Sequence, residues 1–304
     1  MEKFIRLFLF FKIALIRFTI SIMSKHSKQV SLVRLGKLLL FSGLAFYLIV
    51  CGVMAVFQRS LLYYPTGFTS AQVDQMAQSA KLERWTNSAG LSIGLKRLSP
   101  KQPAHGSVLV AYGNGSTAIG SSRYADDIQG IAPFDVFILE YPGYEDRSGS
   151  PSQKSLFSAA DEAFQTLSTN KPIYLIGESL GSGVASYLAG TYPDKISGLV
   201  LISPFNRLAS VAQNHYPILP VWLLLMDRFP SEKYLSNYHG KVGITVDGKD
   251  TVVPEKFGLR LYNGYAGTKK LWEFPNGGHC QIMEPQSQFW KEAIEFWQTN
   301  QTTK

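Results

Sequence analysis

The sequence predicts an α/β protein whose central sheet is mostly parallel, antiparallel at its start and covered by helices on both faces. One membrane-spanning helix precedes it. Three observations carry this expectation. From residue 107 onward, short apolar runs rich in β-branched and aromatic residues alternate with helix-compatible segments, the pattern of strands buried on both faces. The run at 172–176 breaks abruptly into Gly177-Glu178-Ser179-Leu180-Gly181, a strand, tight turn and helix in succession. Residues 38–57 carry no charge at all, and at ~1.5 Å per residue they match the ~30 Å hydrocarbon core of a bilayer.

With 304 residues, 45% of them hydrophobic and 17% charged, the chain can bury a large core. Its net charge of +8 is concentrated at one end: residues 1–59 hold nine Lys/Arg against the single acid Glu2, and the remainder is balanced. The basicity therefore reads as membrane topology, and no nucleic-acid partner is expected. Two cysteines, Cys51 and Cys280, make neither a disulfide framework nor a thiolate metal site.

In chain order, residues 1–37 form a basic N-terminal segment. Its apolar stretch at 4–22 is broken by Arg6, Lys12 and Arg17. Each charge near a bilayer centre costs about 2.5–3.5 kcal/mol, so no second span is expected there; the stretch reads either as an interfacial basic helix or, more simply, as lying upstream of the true start. Met23, followed by Ser-Lys-His-Ser-Lys, is an alternative start that gives residues 38–57 an ordinary positive flank. Lys25, Lys28, Arg34 and Lys37 precede that span and only Arg59 closely follows it. The positive-inside rule then keeps the N-terminus cytoplasmic and sends the rest across the membrane, into the periplasm if the cell is bacterial. No small-x-small cleavage site marks the end of the span, which favours an uncleaved signal anchor. A lipoprotein anchored through Cys51 ranks second, because Val50 is a poor residue before the cysteine and 53–57 stay apolar.

Residues 58–82 read as a juxtamembrane connector, with Tyr63 and Tyr64 suited to the membrane interface and a short helix at 69–81. An antiparallel hairpin is expected at 83–87 and 91–98 around Ser88-Ala89-Gly90. Strands follow at 107–112, 135–141, 172–176, 198–202, 242–246 and 270–274, with helices at 120–129, 153–167, 183–189 and 289–298. This places one domain over 83–300, carrying a cap insert at about 204–238.

In such sheets the chemistry sits at the carboxyl ends of the strands. Those ends carry Gly113-Asn114-Gly115, the Gly177–Gly181 turn, Asp247-Gly248-Lys249-Asp250 and Gly277-Gly278-His279. A nucleophile, an acid and a histidine thus appear in the order Ser179, Asp250, His279, which is the order of the α/β-hydrolase topology. Ser179 is the expected nucleophile and His279 its base, then the acid that protonates the leaving group. Asp250 is expected to orient the imidazole, ahead of Asp247 three residues earlier. Backbone N–H groups of Leu180 and Asn114 are the expected oxyanion hole. Gly177 and Gly181 are expected where strand and helix pass too close to admit a Cβ. Taken alone, the serine motif would equally fit an ordinary Gly/Ser-rich loop; the strand-end acid and histidine separate the two readings. Histidines and acids do not cluster at ligand spacings, so no metal or other cofactor is expected.

These residues resemble the membrane-anchored α/β-hydrolases of the bem46-like group, also known as serine-aminopeptidase-type hydrolases. The similarity runs over about 55–298. It is carried by 58–65 (Q-R-S-L-L-Y-Y-P), Tyr112-Gly113-Asn114-Gly115, Glu140-Tyr141-Pro142-Gly143-Tyr144, Gly177–Gly181, Ser203-Pro204-Phe205, Gly248-Lys249-Asp250 and Gly277-Gly278-His279. The resemblance implies an α/β-hydrolase fold and a Ser-His-Asp hydrolase. It is weakly specific for substrate, although some relatives remove fatty acyl groups from proteins. Tyr112 and Asp247 stand where the group usually has histidine, a departure that touches pocket polarity rather than the triad.

The expected activity is hydrolysis of an ester, thioester or similar acyl bond in a small or lipid-like substrate. A peptidase or a non-catalytic binding module on the same fold is the alternative. The apolar 216–226 segment (Y-P-I-L-P-V-W-L-L-L-M) is either a lid wall for an acyl chain or core packing beneath the cap.

Overall fold

The computed structural model describes residues 32–167, 170–281 and 286–299. The interfacial helix read at 4–22 and the start at Met23 lie outside the described residues. The chain divides into two compact units, 1–53 and 54–304. In the first, residues 32–53 belong to helix α1 (Leu32–Leu62). This helix is long and apolar enough to cross a bilayer by length and composition. It runs through Cys51 without a break and continues past 57, so its last turns belong to the second unit.

The second unit holds α2 (Ser70–Ser79), β1 (Glu83–Thr86), β2 (Ser92–Arg97), β3 (Ser107–Ala111), α3 (Arg123–Ile131), β4 (Asp135–Leu139) and α4 (Gln153–Thr166). Then come β5 (Ile173–Glu178), α5 (Leu180–Thr191), β6 (Ile196–Ile202) and three short helices, α6 (Leu208–His215), α7 (Val221–Leu224) and α8 (Ser231–Leu235). The chain continues through β7 (Lys241–Asp247), α9 (Glu255–Gly264), β8 (Lys269–Phe274) and α10 (Gln286–Gln298). Local chemistry sets several boundaries. Thr69 and Gln72 close a capping box at the start of α2, and Ser152 with Ser155 does the same for α4.

The strands form one eight-stranded sheet in the order β1-β2-β4-β3-β5-β6-β7-β8 among the described residues. β1 with β2 and β2 with β4 pair antiparallel; the remaining pairs are parallel. Every residue of β3, β5 and β7 is buried, which is why these strands read as unbroken apolar runs. The chain builds β4 on one side of β3 and β5 on the other. The carboxyl ends of β3 and β5 therefore flank the crevice where strand order reverses.

One expectation is corrected here. Tyr63 is not an interfacial anchor: it is 2% exposed, and its hydroxyl donates to Asp227 Oδ2 at 3.1 Å. Arg59 Nε donates to the same oxygen at 3.0 Å. Asp227 is itself buried, and a buried carboxylate needs donors around it. The tyrosine next to the apolar helix end supplies one. Tyr64 does remain exposed.

Candidate active site

Strand β5 extends to Glu178 and helix α5 begins at Leu180, so Ser179 alone makes the turn, at φ 50° and ψ −115°. The helix thus starts three residues earlier than its sequence suggested. Two glycines permit this. A Cβ on Gly181 would lie 2.0 Å from the Ala111 carbonyl oxygen of β3, and one on Gly177 would lie 2.7 Å from the Gly181 carbonyl oxygen. The Ser179 N–H donates to the Ile202 carbonyl at 2.9 Å, which fixes the strained residue to the end of β6.

His279 reaches this serine from the loop after β8. Its Nε2 lies 2.9 Å from Ser179 Oγ, and its Nδ1 lies 2.7 Å from Asp250 Oδ2. The Asp250 side chain is 1% exposed, the His279 side chain 23%. Asp250 Oδ1 accepts the backbone N–H groups of Val252 and Val253, both at 2.8 Å. An acceptor-only carboxylate makes Nδ1 the protonated ring nitrogen and leaves Nε2 free to accept the serine proton.

Asp247 occupies a different place. Its Oδ2 accepts from Ser203 Oγ at 2.5 Å, and Ser203 Oγ in turn accepts the Cys280 N–H at 3.0 Å. A Cβ on Gly277 would stand 2.6 Å from Asp247 Oδ1, so this carboxyl lies behind the histidine loop and braces it. Burial pushes the carboxyl up to about 6 and the Asp250 charge adds to the rise, against the opposing Ser203 hydroxyl and His279. The sign follows. Between the ordinary aspartate value of 3.8 and about 6 the folded state holds more protons than the unfolded chain, so stability falls as pH rises through that window. Asp247→Asn has no charge to bury, so its melting temperature should gain on the native protein between about pH 4 and pH 7. A difference independent of pH in paired thermal melts would contradict this.

The loop after β3 closes the other side. A Cβ on Gly113 would lie 3.4 Å from Ser179 Cβ. The carbonyl of Asn114 accepts the Tyr144 hydroxyl at 2.8 Å and the Tyr64 N–H at 3.3 Å, while its side-chain amide donates to the Leu62 carbonyl at 2.5 Å. Leu180 opens α5, so its N–H has no acceptor within that helix. Tyr112 points away from this loop. It is fully buried, with its hydroxyl on Glu140 and its ring against Tyr141.

Ser179, Asp250, His279, Asn114 and Leu180 therefore converge on one sheet edge, as do Gly177 and Gly181. Sequence reasoning missed the groups that hold them. Glu178, inside the serine motif, bonds Arg123 and the Tyr124 hydroxyl and packs toward Gly113, tying the start of α3 to the turn. Its charge beside a nucleophile was the available signal. Ser203, at φ 45°, joins β6, Asp247 and the histidine loop; its motif was visible but not its role.

Fold and site together define an α/β-hydrolase. The model of the family described as "alpha/beta hydrolase fold" matches residues 120–238. An uncharacterized protein of Mycobacterium tuberculosis is 31% identical over 228 residues, spanning 73% of this chain and 80% of that one. The lysophosphatidylserine lipase ABHD12 of Danio rerio is 32% identical over 205 residues, 60% of this chain and 52% of the relative, so the match spans about half of that lipase. Among solved structures, an esterase of Pyrococcus furiosus superposes with a TM-score of 0.56 at 13% identity, covering 78% of this chain and 97% of that one, a likeness of fold alone. The chain belongs to the α/β-hydrolase family, and it is a hydrolase.

Proposed function

We propose that this protein is a membrane-tethered serine hydrolase that cleaves ester or thioester bonds through an acyl-enzyme. The hydrogen-bonded line Ser179–His279–Asp250 carries the reading. His279 Nε2 takes the hydroxyl proton as Ser179 Oγ attacks the substrate carbonyl. Asp250 stabilises the resulting imidazolium, and the Leu180 and Asn114 N–H groups receive the developing oxyanion. Collapse expels the alcohol or thiol, which takes its proton from His279. Water, deprotonated by the same nitrogen, then attacks the acyl-serine and releases the acid. The lysophosphatidylserine lipase among the relatives supports a lipid-like ester substrate.

A fluorophosphonate probe tests the reading. The native protein should label covalently and Ser179→Ala should not; an unlabelled native protein would favour a binding module without catalysis.

The 38–57 stretch of α1 supports a signal anchor, with the hydrolase domain assigned to 83–300 and its cap to 204–238. The cap adds exposed Trp222 (70%), Leu223 and Met226, apolar side chains suited to a lipid surface. The charge asymmetry around α1 supports a catalytic domain outside the cytoplasm. A reporter enzyme fused after Lys304 should then be active only outside; activity in the cytoplasm would reverse the topology.

A further inference from the structure

Between the last turns of α1 and the cap lies an open, mostly apolar cavity of about 120 Å³. Met54, Leu61 and Leu62 form one wall; Leu208, Ala212 and Leu224 form the facing one. Gln58 and Tyr216 are the polar side chains of the lining, and the Gln58 amide is already spent on backbone. Nε2 donates to the carbonyls of Ala55 at 2.7 Å and Leu224 at 3.1 Å, and Oε1 accepts the Met226 N–H at 2.7 Å. The lining therefore offers a ligand apolar surface and little to hold a charge or a headgroup.

Both walls are bonded to loops of the catalytic centre. The Leu62 carbonyl accepts the side-chain amide of Asn114, next to Gly113 and its close approach to Ser179. On the facing wall α6 ends at His215, whose Nε2 lies 2.8 Å from the Val252 carbonyl; the Val252 N–H in turn donates to Asp250. The cavity is thus framed by the oxyanion loop on one side and the acid loop on the other. An apolar chain seated in it would have its polar end at these loops.

We infer that this cavity is the acyl-chain pocket of the enzyme, with the end of the apolar helix α1 as one of its walls, and that it selects single-chain esters with long acyl groups. This rests on the serine-hydrolase reading above. A helix otherwise read only as a tether then becomes part of the specificity site. Buried methylenes of the chain supply the binding free energy in proportion to the apolar area covered.

The test uses the full-length protein in detergent with p-nitrophenyl acetate and p-nitrophenyl decanoate. Ala212→Trp fills the cavity from the cap side and Leu61→Trp from the helix side. In each, the ratio of kcat/KM for decanoate over acetate should fall at least tenfold, mainly through KM. An unchanged ratio in a folded variant overturns the pocket. Binding of cis-parinaric acid to Ser179→Ala gives a readout without turnover: it should saturate, and it should weaken at least tenfold in Ser179→Ala/Leu61→Trp. Absence of saturable binding, or binding indifferent to Leu61→Trp, also overturns the pocket. Failure of the native protein to hydrolyse either ester while parinaric acid still binds would instead sink the serine-hydrolase reading and leave the pocket standing.

Discussion

Ser179→Ala and His279→Ala should each lower kcat by about 10⁴–10⁶, and the double variant should fall no further than the worse single one. The reason lies in the 2.9 Å contact between His279 Nε2 and Ser179 Oγ. Without the base the hydroxyl keeps its proton near neutral pH, and without the hydroxyl the base has nothing to activate. Removing either therefore removes the same step. Steady-state hydrolysis of a p-nitrophenyl ester measures it. Losses that multiply in the double variant would show two independent contributions and break the proposed unit.

Asp250→Asn should lower kcat by about 10⁴ while leaving the fold intact. Asp250 Oδ1 is committed to the Val252 and Val253 N–H groups, so the one amide oxygen of asparagine will take that side. Its NH₂ group then faces His279 Nδ1, 2.7 Å away in the native contact, and forces that nitrogen to accept. The ring proton moves to Nε2, where it blocks transfer from Ser179. Asp247→Asn should lose far less activity, because Asp247 bonds Ser203 rather than the imidazole. Equal losses in the two variants would reopen the choice between the two acids.

Much of the fold was legible because parallel strands buried on both faces leave a plain signal. The runs at 135–141, 198–202 and 242–246 became β4, β6 and β7 with shifts of one or two residues at their ends. The cap helices α6, α7 and α8 and helix α9 were not legible. They are short, several start after a proline, and α9 carries Gly258, Asn263 and Gly264, which weaken any helical pattern. The 216–226 segment divides between the two environments. Val221 is buried, while Trp222 and Leu223 are exposed.

By itself the sequence determined the order of the strands and of helices α2–α5 and α10, the apolar helix, and a serine, an acid and a histidine at successive strand ends. Those are properties of local pattern and of a simple rule about sheet edges. The sequence ranked Asp250 ahead of Asp247; the tertiary structure sets the Asp250 carboxylate on His279 and that of Asp247, the last residue of β7, on Ser203. Only it drew Tyr63 into the core, through a buried carboxylate 164 residues away. Only it set the end of α1 against Leu208, Ala212 and Leu224, because a contact between a helix end and a distant segment leaves no periodicity in either.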